Sequence, residues 1–186
     1  MQVKPDPATT VTYDVGQHRA FLSTRERGRK VLHDLEDHIP PGTSLLVINF
    51  ADVEAMTVSF TDEFLRKYYS TLATQDDGPT SVLVTGLNND TRETIVIAFE
   101  RRELLAQERL GDDLVLLAAS DVLSDTFKLA RMLGTFTATT VAEQLGISAP
   151  NANNRLKRLV AARALVRRRG VAERGGKEFT YSALEA

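Results

Sequence analysis

The chain contains no cysteine and no tryptophan. The first absence excludes disulfides, thiolate catalysis and cysteine-based zinc sites, and it fits a reducing compartment such as the cytoplasm. Long apolar runs are missing as well. The longest clean ones, Leu45 to Ile48 and Leu114 to Ala119, fall far short of the roughly 20 residues of a membrane span. The opening MQVKPDPATT is polar and carries two prolines, so it does not read as a signal peptide. Repeats, low-complexity tracts and a long Gly/Ser/Pro linker are absent. The three histidines, His18, His33 and His38, show no HExxH or metal-ligand spacing. There is no G-x-G-x-x-G. Gly170 to Lys177 misses a phosphate loop by one residue, lacks a Ser or Thr after the lysine, and falls in a predicted hairpin. No catalytic residue, metal or cofactor is therefore expected, and the chain is not read as an enzyme. The adjacent carboxylates Asp62 and Glu63 are assigned to a helix start, where negative charge is favourable.

What is present is ordinary in total and uneven in distribution. The 186 residues hold 42% hydrophobic and 26% charged residues, which argues for a globular protein. The net charge of −2, taken as a whole-chain figure, argues against a nucleic-acid partner. Residues 1–120, however, carry 12 basic and 19 acidic residues, a net of −7, whereas residues 121–186 carry 11 and 6, a net of +5. Between 141 and 181 the balance is 9 to 3. Such asymmetry suggests two domains with different partners, 1–120 and 121–186, joined closely around Ala119 to Leu123.

The acidic half alternates. Thr9 to Val15 is β-rich. Ser23 or Thr24 can cap a helix to about His38, ended by Pro40-Pro41-Gly42. Leu45 to Phe50 reads as a strand covered on both faces. Phe60 to Leu72 has helical spacing, Ser81 to Gly86 is a strand, Asp90 or Thr91 can cap a helix through Leu104, and Asp113 to Ala118 is a last strand. The order β-α-β-α-β-α-β predicts an α/β domain with a mainly parallel sheet. The stretch LLVINFADVEAMTVSFTDEFLRKYY resembles the core of a STAS domain, the fold of anti-sigma factor antagonists. It is closer to a STAS-like family of unknown function with the pattern V-x-x-(I/M)-T-x-S-F-x-D-E, here Val53, Met56, Thr57, Ser59, Phe60, Asp62 and Glu63. Arg25, Gly28 and Arg29 fit the same family, and the likeness spans about residues 10–118. It implies that Ser59, at the position phosphorylated in the antagonists, is a candidate phosphoacceptor for a kinase or anti-sigma-like partner. The plainer reading of the residues makes Ser59 an N-cap with Asp62 at N3.

The basic half has a different grammar. Ser124 can cap a helix ended by Gly134. Thr137 caps Ala138 to Leu145, and Gly146 is a helix-end signal. Ser148 caps the next helix with Pro150 in its first turn. Ala164 to Arg169 and Phe179 to Leu184 read as two strands around a Gly175-Gly176 turn. Helix, tight turn, helix and hairpin, with TATTVAEQLGIS at 137–148 and NRLKRLV at 154–160, resemble the winged helix-turn-helix of small bacterial transcriptional regulators over about residues 122–184. The likeness implies an α+β DNA-binding domain. The second helix of such a motif enters the major groove with its N-terminal turn, and Asn and Arg there read adenine and guanine edges. Ser148, Pro150, Asn151, Asn154 and Arg155 are thus candidates for base contact. Lys157 and Arg158, and Arg168, Arg169, Arg174 and Lys177 in and beside the wing, are candidates for phosphate. The expected partner is double-stranded DNA and the expected state a cytoplasmic homodimer, because one 65-residue module reads few bases.

Overall fold

The computed structural model describes residues 9–171 and 177–184. The elements in chain order are β1 (Thr10–Asp14), β2 (Phe21–Leu22), α1 (Arg25–His38), β3 (Leu45–Asn49), β4 (Ala55–Met56) and α2 (Val58–Thr61). A π-helical segment, Asp62–Arg66, leads into α3 (Lys67–Thr74), followed by β5 (Ser81–Thr85), α4 (Asn89–Glu100), β6 (Ala106–Leu110) and β7 (Asp113–Leu117). The remainder is α5 (Asp121–Leu133), β8 (Thr135–Thr137), α6 (Ala138–Leu145), α7 (Ala149–Ala161), β9 (Leu165–Val171) and β10 (Lys177–Ala183).

The fold is mixed α/β. Its central sheet has the order β1-β3-β5-β6-β7, parallel except for the antiparallel edge strand β7. The strands lie side by side in chain order, so every crossover steps the same way. Right-handed crossovers then place their helices on one face of the sheet. Packing agrees: Leu46, Ile48, Val82 and Val84 share one core with Val31, Leu35, Phe64, Ile95 and Phe99. Alternate residues of the same strands point the other way. Leu83, with Leu45 and Val47 beside it, belongs to a second core built from Leu123, Phe127, Leu156, Leu159, Leu165 and Tyr181. The charge changes sign at about residue 120, but the packing does not break there. Helices α5 to α7 and the three-stranded sheet β8-β10-β9 cover the sheet face that the crossover helices leave open.

Several element ends differ from the sequence expectation for local reasons. Strand β6 is not predicted, because Gln107 and Glu108 are polar, yet they are 0% and 1% exposed. Their burial is offset by specific partners. Gln107 Nε2 donates to the carbonyls of Val82 (2.8 Å) and Arg163 (3.1 Å), and Arg92 from α4 donates to Glu108 at 2.6 Å. Helix α4 is capped by Asn88, with Thr91 reciprocating at N3 in a capping box, rather than by Asp90 or Thr91. Helix α5 begins after Ser120, not Ser124. Thr24, Thr137 and Ser148 do cap their helices, and Gly146 adopts φ 62° at the end of α6.

One junction residue ties the sheet to the C-terminal elements. Arg163 follows α7 with φ 55°, a left-handed conformation usually given to glycine. Its carbonyl accepts from Val82 N (3.3 Å) and Gln107 Nε2 (3.1 Å). Its guanidinium donates to the carbonyls of Leu72, Gln75 and Asp77 at 2.7–3.3 Å. Five hydrogen-bonding atoms, on β5, β6 and around the end of α3, thus hold the end of α7.

Candidate functional site

The amphipathic pattern of α7 sets the face it presents. Ala152, Leu156 and Leu159 are fully buried. The 3.6-residue repeat puts Pro150, Asn154 and Lys157 on the opposite side, and all three are exposed. Asn151, Arg155 and Arg158 lie on one flank. There Arg155 is half-buried, with Nε donating to Asn151 Oδ1 (3.0 Å) and Nη1 to Thr126 Oγ1 on α5 (3.2 Å). Arg158 turns toward the α/β region and donates to the Glu103 carbonyl at 3.4 Å. Asn153 lies on the other flank and shares a recess of about 190 Å³ with Glu178, Phe179 and Tyr181 of β10. The N-terminal half of α7 and the β9–β10 ribbon therefore adjoin.

The ribbon alternates as a strand pair should. Arg167 pairs across to Tyr181, Arg168 to Thr180 and Arg169 to Phe179. Arg167 and Arg169 share a face, while Arg168 points to the other. The Arg167 guanidinium lies 4.6 Å from the centroid of the Phe179 ring, a cation–π contact that leaves its charge uncompensated.

Charge compensation differs in degree between this region and the rest. Among the described residues Arg19, Arg27, Arg101, Arg102 and Arg109 also lack an ion-pair partner, but the N-terminal part holds many paired cations as well. Among the described residues, every ion pair draws its cation from positions up to Arg131. None uses Arg155, Lys157, Arg158, Arg163, Arg167, Arg168 or Arg169. Where these arginines are bonded, their partners are neutral carbonyls, an amide and a hydroxyl.

A second constellation surrounds the start of α2. Thr57, not Ser59, is the N-cap: its hydroxyl accepts from Phe60 N at 3.2 Å. The reading of Ser59 as a cap with Asp62 at N3 is thus corrected. The helix starts two residues earlier, at Val58 after the extended Thr57, and Ser59 is left exposed inside the first turn. Ser59, Arg25, Asp62, Arg101 and Arg102 line a cavity of about 490 Å³. Beneath it, Glu63 is 7% exposed and is paired by Arg25 at 3.1 Å, by Arg29 at 3.7 Å and by Lys67. The Lys67 hydrogen bond and the Arg25 contact hold the Glu63 carboxyl below its ordinary range, despite burial. Burial raises Asp62, but Arg66 and Arg25 outweigh it and hold that carboxyl low too. Close approach makes the cluster possible. A Cβ on Gly28 of α1 would meet the Phe60 carbonyl oxygen at 2.7 Å and Glu63 Cβ at 2.8 Å.

Ser148, Pro150, Asn151, Asn154 and Lys157 are all exposed along α7, and the contact of its N-terminal half with the ribbon runs through Asn153 to β10. Arg155 is half-buried against α5, whereas Arg158 is exposed but turned toward the α/β region. Arg174 lies outside the described residues, as does the Lys177 side chain. Arg167 and Asn153 were not singled out by the sequence. Arg167 was discoverable by strand alternation from Arg169, whereas nothing local marks Asn153. Among the described residues no group of three or more His, Asp or Glu is placed to hold a metal, and no helix is long and apolar enough to cross a membrane. In comparison with known proteins, the chain matches no protein-family model, no curated protein and no solved structure.

Proposed function

We propose that the chain is a DNA-binding transcriptional regulator, in which residues 121–186 act as a winged helix-turn-helix and residues 1–120, as a STAS-like domain, mediate dimerisation or receive a signal. The observation that carries this reading is the stretch of uncompensated cations beside the exposed polar face of α7. Double-stranded DNA is a dense polyanion, and a protein surface whose arginines lack carboxylate partners is free to neutralise phosphates. Asn154 and Asn151 lead from α7 into the major groove. Asn154 carries no side-chain hydrogen bond among the described residues and is the better placed for bidentate contact with adenine. Arg155 orients the Asn151 amide. Lys157, Arg168 and Arg169 take phosphates, with Ser148 and Pro150 at the leading end. Selection of bound sequences from random oligonucleotides tests the reading. Wild type should enrich a site, palindromic for a homodimer, and Asn154→Ala should relax one position of each half-site. Recovery of an unenriched pool would sink it.

A second reading rests on the exposure of Ser59 in an arginine-lined cavity. A phosphate on its hydroxyl would add nearly two negative charges beside Arg25, Arg101 and Arg102, and a partner-switch adaptor would use that to release or recruit a protein. Intact mass after incubation with candidate kinases reads this directly. A phosphate retained by Ser59→Ala excludes the site.

A further inference from the structure

Half of the cations of the acidic region gather in one place. Arg25, Arg29, Arg66 and Lys67 surround the two carboxylates Asp62 and Glu63. Arg101 and Arg102, just past the end of α4, add two more and make no ion pair among the described residues. Six cations against two carboxylates leave an excess of +4 inside a region whose net charge is −7. A cleft lined by one sign of charge focuses the field and concentrates the opposite ion. Arg25, Arg101 and Arg102 converge from the start of α1 and the end of α4 on the recess of about 490 Å³ beside α2. The rest of its lining is Val58, the exposed Ser59 and Asp62. A recess of this size takes a small molecule rather than a bare ion. Its walls are polar, which disfavours an apolar ligand. Guanidinium forks match the oxygens of a phosphate, which brings nearly two charges and three acceptors. Asp62 repels a phosphate but accepts from hydroxyl groups, so the two sides of the recess call for different ends of one ligand.

We propose that this recess binds a small polyol phosphate monoester, its phosphate against Arg101, Arg102 and Arg25 and its hydroxyl groups toward Asp62 and Ser59. The ligand occupies the cavity of the second reading above but needs no phosphate on Ser59. The site is read by binding alone, so it stands or falls independently of DNA recognition.

The test is titration of the full chain with glucose 6-phosphate, inorganic phosphate and glucose, followed by amide chemical shifts. Glucose 6-phosphate should saturate one site with a Kd of about 1 mM or tighter at low salt. Inorganic phosphate should bind a few-fold more weakly. Glucose should bind at least about tenfold more weakly, because the charged acceptor carries most of the affinity. Arg101→Gln and Arg102→Gln, both at exposed positions, should each lower the ester affinity by about tenfold at unchanged Tm. Ser59→Asp puts a carboxylate into the recess and should abolish binding, whereas the neutral Ser59→Asn should retain it within a few-fold. Ester binding by a chain that no candidate kinase modifies would count against the second reading and uphold this one. Absence of saturable ester binding, a preference for inorganic phosphate, equal affinity for glucose, equal effects of Ser59→Asp and Ser59→Asn, or wild-type affinity in folded Arg101→Gln and Arg102→Gln proteins each overturns the proposal.

Discussion

Two groups of arginines in this molecule live under opposite rules. Around α1, the π segment and α4, Arg25, Arg29, Arg66, Lys67 and Arg92 are each paired with a carboxylate, and Glu63 and Glu108 are buried beneath them. Around α7 and β9, the arginines pair with no carboxylate among the described residues. The first set spends its charge on holding one structure. The second keeps a field that reaches into water. The whole-chain net charge hides this, because it counts both sets alike. Pairing, more than abundance, decides which cations are available to a partner.

The largest effect expected from that difference is salt dependence. With about five phosphate contacts per subunit, a dimer's log K should fall with log[salt] at a slope of about −9, or roughly 10⁵-fold in affinity between 50 and 200 mM salt. Fluorescence anisotropy on a selected duplex measures it, and a flat profile would leave the free arginines without a use.

Next is the core shared by the two regions. Leu83→Ala removes a fully buried side chain from the second core and should cost about 2–5 kcal/mol. Urea unfolding should show one transition for both regions before and after the change. Two separated transitions would show that the regions are independent and that their packing contributes little.

The paired set should respond to acid. Asp62 and Glu63 have folded pKa values below their ordinary ones, so their contribution is complete above the unfolded carboxylate range, about pH 5 and up. It is lost as pH falls through the folded values. Glu63→Gln should flatten that part of the stability-against-pH curve and cost about 1–3 kcal/mol at neutral pH. An unchanged curve would mean that the cluster is decorative. Asn154→Ala should cost about 1–3 kcal/mol on the best site and nothing on random duplex, at unchanged Tm. The smallest effect belongs to the exposed pair Lys128–Asp125, where Lys128→Ala should change stability by less than about 0.5 kcal/mol.

The strands built from continuous apolar runs, Leu45–Asn49 and Ser81–Thr85, were legible in the sequence, as were the caps Thr24, Thr137 and Ser148 and the stop at Gly146. Periodicity and capping are local properties, and the chain states them locally. Strand β6 was not legible, since Gln107 and Glu108 become acceptable in a core only through Val82, Arg163 and Arg92, which lie 16 to 56 residues away. The cap of α4 was ambiguous because Asn88, Asn89, Asp90 and Thr91 are all competent cap residues. Which way the basic side chains point was hidden for the same reason as β6: Arg155 is drawn inward by Thr126, 29 residues earlier, and the exposed Arg158 is drawn sideways by the Glu103 carbonyl, 55 residues earlier. Charge could be counted along the chain, but its direction belongs to the tertiary structure.

The junction at Arg163 makes the length of the linker a matter of mechanics. A flexible tether between a sensing part and a reading part lets each move alone, and information must pass through a partner or a loose encounter. Here the carbonyl of one residue sits on the middle strand β5 and its neighbour β6, while its guanidinium grips the end of α3. A shift of a fraction of an ångström in any of these moves the end of α7 directly, as the short arm of a lever moves the long one. The helix that would read the sequence of DNA is thus hinged on the sheet itself, with no slack for a signal to cross.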